Sequence, residues 1–283
     1  MLDHQKITFI GPGAMAEAMI SGLIRNQVAP GSALAAAGPR QERVLELEAR
    51  YGVAAFTDNA AAVQAADVVI LSIKPQRLEY VLKELNGKLK ANALVLSIIA
   101  GAPLARISQG LAHTTVIRSM PNTPAQIGHG ITVWTAATAV TADQRATAQA
   151  ILAALGEEIY VEEEYYLDMA TALSGTGPAY VYLFMEAMVD AGVHLGFPRR
   201  IAEQLVAQTV RGSVDYYTQR EDPVHLARLR NAVTSPGGTS AAALYYLEKA
   251  GFRTAISRAI WAAYERSREL GAGWETHAPN IET

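Results

Sequence analysis

Two glycine-bearing segments carry the residue types from which chemistry could be built. The first reads Ile10-Gly11-Pro12-Gly13-Ala14-Met15-Ala16, between the apolar run Ile7–Ile10 and a helix-like stretch reaching about Arg25. Gly11 would permit a tight turn, Gly13 would leave a pyrophosphate unobstructed, and Ala16 would let helix and strand pack closely. The helix N-terminus would offer free N–H groups and a positive dipole end to the phosphates. The bare motif also fits a simple tight turn. Its strand–turn–helix setting points to a dinucleotide site. The second segment reads Thr234-Ser235-Pro236-Gly237-Gly238-Thr239-Ser240. Adjacent glycines flanked by hydroxyls would open a helix there, and exposed N–H groups could hold a small anion such as a carboxylate. The hydroxyls could bond that ligand or merely cap the helix. Spacing alone leaves both readings open.

The end of the second apolar run bears on which dinucleotide would bind. An NAD site usually places Asp or Glu there, accepting from the ribose hydroxyls. Here the run ends Ala35-Ala36-Ala37-Gly38-Pro39-Arg40, with no acid and an arginine close by. An arginine can pair with a 2′-phosphate that a carboxylate would repel. NADP(H) is expected over NAD(H), with Gly38 and Arg40 as contacts. The other reading of Arg40 is a solvated first-turn residue.

These loops need elements to hold them. Up to about residue 160, short apolar runs alternate with helix-like stretches. The runs are Ile7–Ile10, residues 33–37, Val68–Leu71, residues 94–99, 116–117 and 131–134. Continuous apolar character marks strands buried on both faces of a parallel sheet. The alternation predicts right-handed βαβ units and a doubly wound sheet. After about residue 163 helix signals take over. Pro198, Asp222-Pro223 and Ser235-Pro236 are read as helix starts with proline in the first turn. Residues 241–250 and 252–270 read as helix, and 271–283 as a loosely ordered tail. The stretch from 177 to 195 is apolar almost all round, with only Glu186 and Asp190 charged. Such a helix wants burial on every side. A partner subunit or the centre of a monomeric bundle would supply it.

Composition narrows the function. The 283 residues carry 24 basic and 27 acidic side chains, a formal charge of −3, which disfavours a phosphate-dominated nucleic-acid partner. Zero cysteines exclude disulfides, thiolate metal sites and cysteine nucleophiles. The six histidines show no metal-ligand spacing, so no metal is expected. Glu162-Glu163-Glu164 reads as a charge run before a helix N-terminus. No spanning apolar run and no export signal after Met1 are seen, so no membrane partner and a cytoplasmic location are expected.

Further segments join these two in a resemblance. Ile73-Lys74-Pro75, Met120-Pro121-Asn122-Thr123-Pro124, residues 173–180, Gly196-Phe197-Pro198-Arg199-Arg200 and residues 233–240 follow the 11–16 loop in order. From about residue 6 to 270 the chain resembles the pyrroline-5-carboxylate reductase family. Ser-Pro-Gly-Gly with trailing hydroxyls, combined with Pro-Asn-Thr-Pro, is specific to it. The resemblance implies reduction of 1-pyrroline-5-carboxylate to L-proline by NAD(P)H, the last step of proline biosynthesis. It implies an α/β fold: an N-terminal Rossmann-type doubly wound sheet over 1–163 and an all-helical substrate-binding and dimerisation domain over 164–283. Homodimers, possibly assembling into decamers, are implied. The substrate carboxylate maps to Gly237, Gly238 and Thr239, with Ser235 nearby, and the imine nitrogen to Ser240. Asn122 joins the substrate set. Cofactor positions map to Ile10, Gly11, Pro12, Gly13, Ala14 and Met15, to Asn59, to Ser72, Ile73, Lys74 and Pro75, and to Ile98, Ile99 and Ala100. Two departures matter: Ser240 stands where the family usually has threonine, and Asn231 where it often has Asp.

The chemistry implied is modest in its demands. A protonated cyclic imine accepts hydride readily, so the protein needs neither nucleophile nor metal, and its task is positioning. A serine hydroxyl is too weak an acid to be a free proton source, so Ser240 would orient the nitrogen. A β-hydroxyacid dehydrogenase of similar build would need a lysine in its helical domain. Beyond residue 163 the only lysine is Lys249, outside every glycine motif. An imine reductase for other rings, or a dinucleotide-binding regulator without chemistry, are the remaining alternatives.

Overall fold

The computed structural model describes Leu2 and residues 4–272. Among the described residues eight strands form one sheet: β1 Ile7–Ile10, β2 Leu34–Ala37, β3 Ala54–Phe56, β4 Val68–Leu71, β5 Leu94–Ser97, β6 Val116–Met120, β7 Gly130–Ala136 and β8 Gly156–Tyr160. Their order is β3-β2-β1-β4-β5-β6-β7-β8. All neighbours run parallel except β6 and β7. The helices between strands are α1 Ala14–Arg25, α2 Gln41–Tyr51, α3 Asn59–Val63, α4 Leu78–Leu85, α5 Leu104–Leu111 and α6 Ala142–Ala153.

The apolar runs become strands because helices cover both faces of the sheet. β1, β4 and β5 are buried along their whole length. Successive side chains alternate sides, so Ile7 and Phe9 pack with Met19, Ile20 and Ile151, while Ile10 packs with Val63, Leu82 and Ile107. On α1 the buried positions Ala16, Met19, Ile20 and Leu23 form one helical stripe, which fixes the start of the helix beside the end of β1. Burying a side chain of this size contributes about 1.5–3 kcal/mol.

Several boundaries differ from the sequence reading. Ala33 belongs to a 3₁₀ turn, Gly31–Ala33, and the run over 94–99 ends as strand at Ser97. β3 and β8 went unread: β3 has three residues, and Gly-Glu-Glu-Ile-Tyr in β8 alternates too weakly to stand out. β7 is antiparallel to β6 because only a short turn, Thr123–Ile127, joins them, too little for a parallel crossover. The described part of the tail, Gly271 and Ala272, is helical, and the expectation for 273–283 lies outside the described residues.

Beyond β8 the elements are helical: α7 Tyr166–Ala170, a π turn over Thr171–Gly175, α8 Gly177–His194, α9 Arg199–Thr218, α10 Leu226–Ala232, α11 Thr239–Lys249 and α12 Phe252–Ala272. Three helix starts shift. Pro198 is the N-cap of α9 rather than its first residue. Asp222-Pro223 opens no helix; α10 starts at Leu226, where the His225 Nδ1 accepts from the Ala227 N–H at 3.1 Å. α11 starts only at Thr239, because Gly237 takes φ +72°, a left-handed value no right-handed helix contains.

The chain divides into two compact units. One runs to Gly177 and resumes at Ala262; the other is Pro178–Trp261. Within the first, the last turns of α12 cross the loop after β5 so closely that a Cβ on Gly101 would lie 2.7 Å from the Leu270 Cβ. Beneath that crossing sits Arg118, 4% exposed, paired with Glu164 at 3.0 Å and Asp168 at 2.8 Å. The Ser267 hydroxyl donates to Asp168 at 2.7 Å, and the Leu104 N–H donates to Glu164. Glu164 of the acidic run thus serves a buried ion pair as well as preceding α7. In the second unit, Val189, Ala202 and Val206 form a small core.

Candidate active site

The first glycine loop leaves the carboxyl end of β1 at the point where the strand order reverses, β2 lying on one side and β4 on the other. Gly11 has φ +99°, and a Cβ there would come within 2.7 Å of Ile73 and 2.9 Å of the Ser72 carbonyl oxygen. The Ser72 hydroxyl in turn donates to the Ile10 and Gly11 carbonyls, at 3.1 and 2.9 Å. The loop after β4 therefore locks the loop after β1. A Cβ on Gly13 would meet nothing within 4 Å, and no side chain caps α1. That open space before an uncapped helix N-terminus fits a pyrophosphate.

A cleft of about 340 Å³ opens beside this loop. Ile10, Gly11, Pro12, Gly13, Gly38, Arg40, Asn59, Ser72, Ile73 and Lys74 of the expected set line it. Ala14, Met15 and Pro75 adjoin these in the chain without lining the cleft, and Ile98, Ile99 and Ala100 follow the end of β5, the next strand along. Sequence reasoning missed Thr57, Arg77, Tyr80, Val81 and Glu84 in the wall. A signal existed: 77, 80, 81 and 84 are one helical stripe running on from Lys74-Pro75. Asn59 is buried and donates to Glu84 at 2.8 Å, while its Oδ1 has no partner among the described residues. An orphaned acceptor there suits a ligand with hydroxyl or amine donors.

Arg43 reaches the loop from α2. Its Nε donates to the Pro12 carbonyl at 2.9 Å, its Nη1 to Glu46 at 2.7 Å and its Nη2 to Glu17. Glu17 also accepts from Arg50 and from the Tyr51 hydroxyl. The Arg43 hydrogen bond, outweighing burial, holds the Glu17 carboxyl below the usual carboxylate range. The same contact raises the Arg43 pKa.

In the helical unit, the second glycine motif forms a turn closed by the Gly238 N–H to the Ser235 carbonyl at 3.0 Å, with the Thr234 hydroxyl donating to the Arg230 carbonyl at 2.6 Å. Gly238 is the N-cap of α11, and no side chain caps that helix. Gly238 has no side chain with which to cap it, so the N–H groups of that first turn are left without a cap from this position. A Cβ on Gly238 would lie 2.6 Å from the Ser235 Oγ, so this position admits only glycine without rearrangement. Asn122 accepts from the Ile131 N–H at 3.0 Å and donates to the Ser174 carbonyl at 3.2 Å, tying its loop to the π turn. Asn231 is exposed and lies near Arg230. Among the described residues no cluster of His, Asp or Glu could hold a metal ion, and no helix is long and apolar enough to cross a membrane.

Comparison with known proteins decides the family. Residues 164–270 match the model for pyrroline-5-carboxylate reductase dimerisation, and 6–101 that for coenzyme F420-dependent NADP oxidoreductases. The chain is 42% identical to pyrroline-5-carboxylate reductase of Synechocystis over 94% of its own length and 98% of the relative's. The chain belongs to the pyrroline-5-carboxylate reductase family. The Pseudomonas aeruginosa pyrroline-5-carboxylate reductase is 40% identical, over 95% of this chain and 98% of its own. The crystal structure of Plasmodium falciparum pyrroline carboxylate reductase with NADP bound superposes with a TM-score of 0.87 at 29% identity, covering 95% and 99% of the two chains. Pyrroline-5-carboxylate reductase membership accounts for both glycine motifs lying in one chain, and the dimerisation match falls on the helices whose apolar faces are uncovered. Val181, Tyr182, Leu183 and Phe184 of α8 are all exposed.

Proposed function

We propose that this chain reduces 1-pyrroline-5-carboxylate to L-proline, using NADP(H) in preference to NAD(H), in the cytoplasm. The observation that carries the reading is the cleft where the strand order reverses. It is lined by Gly11, Gly13, Gly38 and Arg40, in a chain that matches reductases of this name along 94% of its length. When bound, the reduced nicotinamide supplies a hydride. Gly11 and Gly13 leave room for the pyrophosphate, and the N-terminus of α1 meets its charge. Arg40, with no acid at the end of β2, takes the 2′-phosphate. Ser72, Ile73 and Lys74 form the opposite wall with Pro75 behind them, Asn59 offers its unpartnered Oδ1, and Ile98, Ile99 and Ala100 carry the site on towards β5.

In the helical region, assigned to substrate binding and dimerisation from residue 164 on, the Gly237 and Gly238 backbone holds the substrate carboxylate at the start of α11. Ser235 and Thr239 flank it. Ser240 Oγ accepts from the protonated imine nitrogen and fixes the ring. Asn122 serves the substrate side through the loop it fastens. The assembly is a homodimer at least, with a decamer as the larger alternative. Mixing the protein with NADPH and pyrroline-5-carboxylate and following absorbance near about 340 nm tests the reading, because oxidation of the nicotinamide removes that band. No decay above the imine-free rate would overturn it.

A further inference from the structure

Three arginines and a lysine stand near the candidate cofactor cleft, and they do not have the same work. Arg40, Lys74 and Arg77 line it directly. Arg43 stands behind the loop with its guanidinium engaged on three sides, by Pro12, Glu46 and Glu17. We propose that Arg43 is a positioning residue for dinucleotide binding: it holds the Pro12 carbonyl turned towards α2, and it neutralises Glu17.

Both parts follow from the geometry. Peptide 12–13 lies between the two glycines that a pyrophosphate must pass. If it turned over, the Pro12 oxygen would face the phosphates, and two negative partners would meet at close range. Arg43 Nε pins that oxygen on the far side. Gly38 leaves room for the Pro12 ring in this position, since a Cβ on Gly38 would lie 2.4 Å from Pro12 Cδ. Glu17 poses the second problem. It is the acidic residue of the first turn of α1, where phosphate is to be received. A carboxylate there competes with an anionic ligand for the helix dipole. Arg43 has only 18% of its side chain exposed and binds Glu17 directly, whereas Arg50, the other cation on Glu17, is 62% exposed and so more strongly screened. One side chain therefore fixes the loop and masks the charge beneath it. Each of its three nitrogens already donates within the fold and it does not line the cleft, so it is not placed to discriminate NADPH from NADH.

The inference rests on the reading of the cleft as a dinucleotide site, and binding separates the two. NADPH and NADH are titrated into the whole protein by fluorescence, with the melting temperature and kcat followed beside them. Arg43→Met is expected to weaken both dinucleotides by the same factor, on the order of tenfold, the lower end for a lost hydrogen bond to a charged group. It is expected to leave kcat near its starting value once cofactor saturates. Arg40→Ala, in contrast, should weaken NADPH alone. Adding Glu17→Gln to Arg43→Met should recover part of the affinity, because the uncovered charge is gone. Arg43→Met that binds both dinucleotides as tightly as the wild type, or loses only NADPH, overturns the assignment. Should Arg43→Met melt much lower, Arg43→Lys becomes the test: it keeps one of the contacts and must bind both dinucleotides with intermediate affinity, and any other result also overturns it. If the wild type itself binds neither dinucleotide, the cleft reading fails first.

Discussion

On the proposed reading Ser240 and Arg40 carry distinct burdens, and each can be removed singly. Ser240 follows the turn at the start of α11 and no helix cap requires its hydroxyl. A hydrogen bond to a charged group is worth about 1.5–3 kcal/mol. Ser240→Ala should therefore lower kcat/KM by about 10- to 150-fold, while Ser240→Thr stays active. If the loss falls on KM alone, the bond serves binding and not the reacting state. Arg40 should behave differently. Replacing it with alanine should cut the ratio of kcat/KM for NADPH over NADH by about tenfold or more, and an unchanged ratio would assign the 2′-phosphate elsewhere. Glu17 adds a pH effect. Its folded pKa lies below the ordinary 4.5, so its contribution to stability is complete above that value and fades as pH falls through the lower, folded one. Urea unfolding from neutral pH downwards should show the gap between wild type and Glu17→Gln closing only in the acid range. A gap that widens there would contradict the sign.

Elements were legible where burial imposed a pattern. β1, β4 and β5 lie between two helical layers, and their unbroken apolar runs announced it. The helix stripe of α1 and the Gly11 turn followed from the same residues. Elements set by one local contact were not legible. The late start of α10 depends on a single His225 nitrogen, and that of α11 on the sign of one φ angle at Gly237. Likewise nothing in Glu162-Glu163-Glu164 told which carboxylate would find Arg118, since that partner lies forty-six residues away in sequence. The resulting triad is exacting. Removing the cation in Arg118→Met would take from Glu164 and Asp168 the guanidinium they share, costing about 3–5 kcal/mol. Chemical denaturation of the variant checks this, and a loss under about 1 kcal/mol would show the carboxylates reaching water instead.

For the molecule as a whole, the sequence signals an unsatisfied surface. The nearly all-apolar stretch of α8 calls for cover, and within one chain it does not get it: Tyr182 is 61% and Leu183 67% exposed. Sedimentation at micromolar concentration should find no stable monomer, and Leu183→Asp should shift the population towards one. A folded wild-type monomer under those conditions would leave these side chains as an exposed patch in need of another explanation. What the sequence could not convey is that the first compact unit is discontinuous. A break in composition near residue 163 suggested two successive blocks, but the last turns of α12 return to pack on Gly101 and Asp168.

That return imposes an order in time. During synthesis the sheet, the glycine loop and Arg118 emerge first, and they must wait through the whole intervening helical unit before Ser267 and Leu270 leave the ribosome. Until then the guanidinium of Arg118 and its two carboxylates lie beneath an open seat on the nascent chain. The early sheet can pair its strands, but the lid over its ion pair is fitted last, so a chain cut short within α12 would lack the contacts of Ser267 and Leu270 that seal its underside.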